Sequence, residues 1–373
     1  MPAADRATAV LTVDLAAIVE NYRILQRRFA GREVAISLKA DAYGVGAAPV
    51  GTALWQAGAR RFFVATLDEG IALRTTLPSA SIAILHGLTT GPVAEFLRYD
   101  LLPVHNSTGE IDRWLAEAPG RSAALHLDIG MARLGMPANE IEALANAGRL
   151  RGLPLAFVMS HLGCSDEPHN PLNAVQRDRF VEACGKLAIP SSVARSLVAS
   201  SGIFLDGSYH FDIARPGAAL YGIAPTNGQP NPMRQAVRLS GKILQLRYVD
   251  TDSTVGYGAT HRMTRAGRVA TIGAGYADGV LRAFGNRGHA VVDGHLVPVV
   301  GRISMDLLTI DVTDLPDESV QPGRSVDLIG PGYDINEAAN DAGTIGYELL
   351  TRLGPRVGKR YLAADAAAEG NAA

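Results

Sequence analysis

Short apolar segments alternate with amphipathic ones from about residue 15 to residue 230. The apolar segments lack strict alternation, which is typical of strands covered on both faces. There are eight of them: VAISLKA (34–40), RFFVATL (61–67), SIAILHG (81–87), LLPVH (101–105), AALHLDI (123–129), LAFVMSH (155–161), SLVASS (196–201) and HFDIARP (210–216). The intervening segments predict helices. This order predicts an N-terminal (β/α)8 barrel of the TIM type. A doubly wound sheet is the alternative, but no strand-linked GxGxxG sequence favours it.

The pattern changes after about residue 235, where short strands separated by turn residues predict a mainly β domain. Asp293-Gly294 lies between two apolar runs and predicts a two-residue hairpin, because both turn positions need positive φ. A single long helix is predicted near residues 335–352.

The length of 373 residues fits two domains. We expect a cofactor-binding barrel at 11–235 and a β domain at 236–373, joined near residues 225–232. An N-terminal strand at 1–10 is expected to pack on the β domain.

Composition excludes several classes of function. The net charge of −2 gives no basic surface for nucleic acid. No apolar stretch reaches the length of a membrane helix, and the N-terminus lacks the apolar core of a secretion signal, so a cytoplasmic enzyme is expected. Cys164 and Cys184 are too few for a disulfide framework and form no CxxC pair, so no metal site is expected.

Lys39, in SLKADAYG, is a candidate nucleophile and base. It stands at the end of the first predicted barrel strand, on the face where barrel active sites form. An apolar surrounding would lower the pKa of its ammonium group. A lysine at a strand end that merely extends its amine to solvent explains the same residue.

The loops after the seventh and eighth predicted strands are candidates for binding phosphate. Ser201 offers a hydroxyl, while Gly217 and Ala218 allow a ligand to approach the backbone closely. Together with Lys39 they indicate a phosphorylated aldehyde cofactor bound through the lysine.

The chain resembles the alanine racemases, the fold-type III pyridoxal-phosphate enzymes. The resemblance runs in order from about residue 8 to residue 361. It rests on SLKADAYG, DIGMARLG, MSHLGCSDE, DIARPGAALYG, VGYGATH, GYADG, VGRISMD and AGTIGYELLTRLGPRV. The family joins a barrel to a β domain and forms a head-to-tail homodimer. Its members make D-alanine for the cell wall or degrade L-alanine, and the sequence leaves both roles open.

The resemblance implies a two-base mechanism. Lys39 carries pyridoxal phosphate and handles the D-alanine proton, while Tyr257 of the other subunit handles the L-alanine proton. Racemisation removes a proton from one face and returns one on the other, so one base is needed on each face. His161 and Arg215 would polarise the tyrosine. Arg215 would also donate to the pyridine nitrogen, which keeps the ring neutral and limits side reactions.

The remaining family residues map onto this chain one by one. Arg133 would contact the phenolic oxygen and the substrate carboxylate, which the N–H of the partner subunit's Met305 would also meet. Asp306 and Tyr276 are partner-subunit residues in the substrate region and at the site entrance. The phosphate contacts would come from Tyr43, Ser201, Gly217, Ala218 and Tyr347.

Two positions depart from the family pattern. His126 stands where many members have a carbamylated lysine that orients the arginine, so Arg133 must be held by a neutral or cationic imidazole, a chloride or a water. Ser200 replaces an asparagine near the phosphate, which reduces the side-chain contacts there.

Three other functions stay open on the sequence alone. The first is racemisation of another small amino acid, such as serine, or of a broad set, although bulky Tyr347 and Met305 favour alanine. The second is amino-acid decarboxylation, which would place an acid rather than Arg215 at the ring nitrogen. The third is a barrel-only pyridoxal-phosphate carrier, which would lack the β domain.

Overall fold

The computed structural model describes residues 6–89, 91–148, 150 and 152–363. The chain forms two compact units. The barrel unit comprises Val19–Leu220 and Ala224–Met233; the β unit comprises the residues up to Ile18, Tyr221–Ile223 and the residues from Arg234 onward. The first five residues of the expected N-terminal strand and the last ten of the chain lie outside the described residues.

Parallel strands form the centre of the barrel unit. Seven of them pair in sequence order: β3 (Ile36–Ser37), β4 (Arg61–Val64), β5 (Ser81–Ile84), β6 (Leu102–His105), β7 (Ala123–His126), β8 (Leu155–Met159) and β9 (Ala194–Ser196). A further parallel pair is formed by β2 (Glu33–Val34) and β10 (Ile213–Ala214).

Backbone hydrogen bonds close these strands into a ring. The Arg215 N–H donates to Val198 O at 2.9 Å, which joins the end of β10 to the segment after β9. The Ser37 N–H donates to Pro216 O at 2.8 Å, which joins β3 to the segment after β10. Because β2 and β3 are separated only by Ala35, they are two parts of the first strand, and the strands number eight. The expected eight-stranded barrel is therefore confirmed.

Helices alternate with the barrel strands. They are α1 (Leu15–Arg28), α2 (Ala47–Gln56), α3 (Leu67–Thr76), α4 (Val93–Arg98), α5 (Thr108–Glu117), α6 (Ala138–Ala147) and α7 (Leu172–Lys186). A fully apolar cluster fills the inside of the strand ring: Ala35, Phe63, Ala83, Val104, Ala124, Phe157, Met159 and Ile213. The interior is thus a packed core, and a ligand site can form only at the ends of the strands.

The strands are shorter than the sequence pattern predicted. The first predicted strand, 34–40, ends at Ser37 in the structure, so Lys39 lies beyond the strand instead of at its end. The last predicted strand, 210–216, is reduced to Ile213–Ala214. In both cases the apolar run continues into the loop, because the residues that follow the strand are buried as well.

The β unit is built on a mixed sheet. Its strand order is β16 (His295–Pro298), β15 (His289–Val292), β18 (Ser325–Ile329), β11 (Val237–Val249), β1 (Ala9–Asp14) and β19 (Gly358–Leu362). β14 (Gly267–Ile272) pairs with both β11 and β17 (Leu308–Asp311). A separate short pair is β12 (Thr254–Val255) with β13 (His261–Arg262).

Two expectations about the β unit have different outcomes. The Asp293-Gly294 hairpin is confirmed, with φ of 45° and 83° at the two turn residues between β15 and β16. The single helix at 335–352 is wrong, since α8 (Ile335–Ala342) and α9 (Gly346–Thr351) are separate. Gly343, with a φ of 69°, ends α8 in the left-handed conformation that glycine favours. Within the described residues, no helix is long and apolar enough to cross a membrane.

Candidate active site

A cavity of about 400 Å³ lies at the carboxyl ends of the barrel strands. It brings together five of the predicted site residues: Lys39, Tyr43, Arg133, His161 and Arg215. The other lining residues are Ser37, Phe63, Ala65, Leu85, His86, His126, Leu134, Met159 and Ala199. The described lining holds three cationic side chains and no carboxylate. Such a cavity favours an anionic ligand.

Lys39 begins a single left-handed helical turn, Lys39–Tyr43, that follows β3. Burial, and then the neighbouring Arg133 guanidinium group, lowers the pKa of Lys39; Glu69 acts in the opposite direction and Arg215 in the same one. A larger fraction of Lys39 is therefore neutral at a given pH than in an exposed lysine. Only the neutral amine has a lone pair with which to attack a carbonyl or accept a proton.

Arg215 lies directly after β10 and is only 5 % exposed. Its guanidinium group donates to Ser196 Oγ and, at 2.6 Å, to Ser160 O. Both partners are neutral oxygens. Burial lowers the pKa of Arg215 to about 9, so the group stays cationic at neutral pH. The cavity therefore contains a buried cation with N–H donors to spare, which suits a ligand atom that accepts hydrogen bonds.

His161 follows β8 and lines the same cavity. Burial, and then the positive charges of Arg215, Arg133 and Lys39, holds the pKa of His161 well below 6.5. The imidazole is therefore neutral at pH 7, with one nitrogen that donates a hydrogen bond and one that accepts.

The loops after β9 and β10 are joined by Ser200. The N–H groups of Gly217 and Ala219 donate to Ser200 Oγ at 3.1 and 3.2 Å. Ser201 and Ala218 are placed in the same loops but are not among the residues that line the cavity. The serine at position 200 thus holds the loop pair together, a role that the sequence analysis did not foresee.

Tyr43 packs against Gly217. A Cβ atom at Gly217 would lie 2.3 Å from Tyr43 Oη, so only glycine leaves room for the ring. Burial raises the pKa of Tyr43, while a hydrogen bond with the Ser37 side chain acts in the opposite direction. The phenol is therefore a protonated hydrogen-bonding group beside the two loops.

His126 ends β7 and lines the cavity, and its Nδ1 lies 2.9 Å from Asn106 Oδ1. The Asn106 amide nitrogen donates to Leu85 O and Val104 O, both at 3.0 Å, so its oxygen is the acceptor. It follows that Nδ1 of His126 carries the proton and that Nε2 has a free lone pair.

The charge of His126 follows from its surroundings. Burial, and then the positive charges of Arg215 and Arg133, lowers the pKa of His126 to about 4. The sequence left open whether the His126 imidazole is neutral or cationic. In the structure this imidazole is neutral at pH 7, and it lines the same cavity as Arg133.

We expect His126 to weaken the fold as the pH falls from 7 to 5. Its pKa of about 4 lies below the 6.5 of an unperturbed histidine, so the unfolded chain binds the extra proton first. The stability contribution is complete above pH 6.5 and is lost as the pH falls towards 4. The loss between pH 7 and pH 5 is about 2 kcal/mol.

Urea-induced unfolding at the two pH values measures this loss. His126→Gln should remove about that much of the difference between them, whereas His169→Gln, at an exposed histidine, should leave it unchanged. An identical pH dependence in wild type and His126→Gln would contradict the neutral buried imidazole.

The predicted residues from the C-terminal half lie in the β unit. Tyr257 begins a short 3-10 helix, Tyr257–Ala259, and is 72 % exposed. Tyr276, Met305 and Leu307 are also exposed. The Met305 carbonyl accepts the Ala277 N–H at 2.9 Å, while its own N–H donates to none of the described residues.

Asp306 and Tyr347 also lie in the β unit. Asp306 accepts a hydrogen bond from Arg356 Nη1 at 2.7 Å, and Arg356 also pairs with Asp278 at 3.0 Å. Asp278 in turn accepts the Gly275 N–H at 2.9 Å. Tyr347 is half-buried in α9. The Asp306 carboxylate therefore links the loop that carries Met305 to Arg356.

Sequence reasoning missed several polar residues at the cavity. Ser37 and His86 line it, and Asn106 supports His126 from the neighbouring strand. Each stands at or just past the carboxyl end of a barrel strand, where active-site residues collect. Scoring every polar residue at those positions would have found all three.

The cavity fits pyridoxal phosphate. It offers a half-buried lysine for the aldehyde, the cationic groups Arg133 and Arg215, and no carboxylate that would repel a phosphate. The loops after β9 and β10 lie next to it through Tyr43. These are the residues required for a phosphorylated aldehyde that binds through an amine.

Comparison with known proteins gives a consistent result. Residues 13–225 match the family model of the alanine racemase N-terminal domain, and residues 236–361 that of the C-terminal domain. Alanine racemases from Rhodospirillum rubrum and Acidiphilium cryptum are 48 % and 47 % identical, covering 96 % and 93 % of this chain and 96 % of each relative.

A solved structure agrees with these sequence matches. The crystal structure of alanine racemase from Bartonella henselae with covalently bound pyridoxal phosphate superposes with a TM-score of 0.90 at 36 % identity, covering 95 % of this chain and 100 % of that one. Both domain models match in order, and the relatives align over nearly the full length. This chain therefore belongs to the alanine racemase family.

Proposed function

We propose that this protein interconverts L-alanine and D-alanine with pyridoxal phosphate, using Lys39 and the partner subunit's Tyr257 as its two bases. The observation that carries the proposal is the cavity, in which a half-buried lysine with a lowered pKa lies among cationic groups, with no carboxylate among the described lining residues. Membership of the family supplies the reaction class.

The reaction requires a proton to leave one face of the α-carbon and another to arrive on the opposite face. When bound, pyridoxal phosphate withdraws electrons from the α-carbon and so makes its proton acidic. Lys39 Nζ takes or returns the proton on one face, and Tyr257 Oη does so on the other. In each direction one group acts as base and the other as acid.

Three further residues support the two bases. The neutral His161 can accept or donate a hydrogen bond and so assist the tyrosine. Arg215 is cationic and buried. It would donate to the ring nitrogen of the cofactor and would leave that nitrogen unprotonated. Arg133 binds the substrate carboxylate, to which the free N–H of the partner subunit's Met305 also donates.

Cofactor phosphate is held by the loops after β9 and β10. The groups that we assign to it are Tyr43, Ser201, Gly217, Ala218 and Tyr347. The Gly217 N–H already donates to Ser200 Oγ. In this proposal Gly217 therefore lets the phosphate approach the backbone closely, and the Ala218 N–H donates to the phosphate. Asp306 and Tyr276 shape the substrate region.

A homodimer completes each site in this proposal. Tyr257, Tyr276 and Met305 are large side chains left 72 %, 43 % and 54 % exposed. Exposed aromatic and methionine side chains that cluster together are typical of an interface. A second copy of the chain would cover them and at the same time bring Tyr257 to the cavity of the first.

Mixed dimers test the shared site. Lys39→Ala and Tyr257→Phe proteins should each be inactive alone, because each lacks one base. After subunit exchange, half of the dimers contain one site with both native residues, so about a quarter of the wild-type activity per site should return. No recovery would mean that both bases come from one chain.

Substrate and physiological role are tested separately. Initial rates on a panel of L- and D-amino acids should be highest for alanine; comparable rates for serine would favour a broad-specificity racemase.

We also propose that the enzyme is cytoplasmic and supplies D-alanine for the cell wall. A deletion strain should then require D-alanine for growth, whereas a catabolic enzyme would be needed only for growth on alanine.

A further inference from the structure

The turn that carries Lys39 has an unusual backbone. Ala40, Asp41, Ala42 and Tyr43 have φ values of 54°, 52°, 54° and 58°. L-amino acids adopt this left-handed conformation singly and seldom in succession, because Cβ approaches the following carbonyl oxygen. A run of four such residues persists only where surrounding contacts hold it.

Glu69 supplies the contact at the start of this turn. Its Oε1 accepts the Ala40 N–H at 2.7 Å, and Ala40 is the residue directly after Lys39. Its Oε2 accepts the N–H groups of Ala65 at 2.7 Å and Thr66 at 3.2 Å. One carboxylate thus joins the lysine's turn to the end of the neighbouring strand β4 by short, charge-assisted hydrogen bonds.

The contact with Ala40 goes beyond ordinary helix capping. Thr66 and Glu69 form a capping box at the start of α3, and Asp334 and Glu337 form the same motif at the start of α8. Glu337 accepts the Asp334 N–H at 2.9 Å and, among the described residues, makes no hydrogen bond to another element. A capping box therefore does not require the second carboxylate oxygen to bind another element. In Glu69, the second oxygen accepts the Ala40 N–H.

We propose that Glu69 is a positioning residue for Lys39: its carboxylate fixes the left-handed turn and so sets where the lysine amine points in the cavity. The proposal rests on the function assigned to Lys39 above. A carboxylate is needed because both oxygens face N–H donors, and a glutamine would turn its own NH2 group towards one of them.

Four variants separate this role from capping and from charge. Glu69→Gln loses one of the two attachments. Glu69→Asp keeps the charge but is shorter by one methylene, so it cannot span both. Thr66→Ala weakens the cap and leaves the bond to Ala40 intact. Glu337→Gln removes the matched cap in the β unit.

The first readout is amide hydrogen exchange of residues 38–46, measured without substrate. In Glu69→Asp, and in Glu69→Gln where the amide nitrogen faces Ala40, this segment should exchange on the order of tenfold faster, because one of the contacts that hold the turn is lost. Thr66→Ala and Glu337→Gln should match wild type there. Unchanged exchange in Glu69→Asp, which cannot span both sites, or equal acceleration in Thr66→Ala, would overturn the proposal.

The second readout is the division between kcat and KM for alanine. A misplaced lysine lowers kcat on the order of 100-fold with little change in KM. The two control variants should keep the wild-type kcat. Faster exchange with an unaltered kcat would also overturn the proposal. If wild type does not racemise alanine, the proposed function fails while the exchange result still reports on Glu69 and the turn.

Discussion

Lys39→Ala should lose alanine racemisation by on the order of 10³-fold or more, because a positioned base alone contributes 10²–10⁴-fold. The substitution also removes the amine that would hold the cofactor. The purified variant should therefore lack the visible absorbance of lysine-bound pyridoxal phosphate. Absorbance spectra and initial rates in both directions measure the two effects.

The control for this experiment is Lys186→Ala. Lys186 lies on the exposed face of α7 and pairs only with Glu182, at 2.8 Å, among the described residues. That variant should keep both the absorbance and the rate. A Lys39→Ala protein that remained coloured and racemised alanine normally would refute the assignment of Lys39.

Tyr257→Phe should lower kcat/KM on the order of 10²–10⁴-fold in both directions. The values of kcat/KM for the two directions must fall by the same factor, because their ratio equals the equilibrium constant. That constant cannot change, since the two enantiomers have the same free energy in water. The rates therefore do not reveal which face has lost its base. Exchange of the α-hydrogen with deuterated solvent does, since it reports each abstraction separately.

We expect the rate of α-hydrogen exchange to differ between the two enantiomers. In Tyr257→Phe, D-alanine should still exchange its α-hydrogen through Lys39, while exchange into L-alanine should be nearly absent. Tyr248→Phe, at an exposed tyrosine of the same unit, should behave as wild type. Equal exchange from the two enantiomers in Tyr257→Phe would contradict the assignment of the tyrosine to the L-alanine face.

The barrel could be predicted because its pattern is local. Each strand is an apolar run that folding buries on both faces, and eight such runs separated by helices allow few other arrangements. Strand ends could not be predicted equally well. The run VAISLKA continues past Ser37 because Leu38 is as buried as the strand, although the strand itself ends at Ser37.

The environment of Arg133 shows a second limit. The sequence identified His126 as a departure from the family pattern but could not assign its charge. That charge depends on burial and on the positive charges of Arg215 and Arg133. The tautomer depends on Asn106, which lies 20 residues earlier and meets His126 only because β6 and β7 are neighbours in the barrel. A tautomer is a property of such contacts, not of residue type.

The sequence by itself determined the barrel, the β-rich second half, the hairpin at Asp293-Gly294 and the family, because these depend on periodicity, turn chemistry and ordered motifs. Only the tertiary structure decided that Lys39 sits in a left-handed turn held by Glu69, which is 30 residues away in the chain. The reason is that parallel strands bring the ends of distant segments together at one edge, where a carboxylate on one can bind the backbone of another.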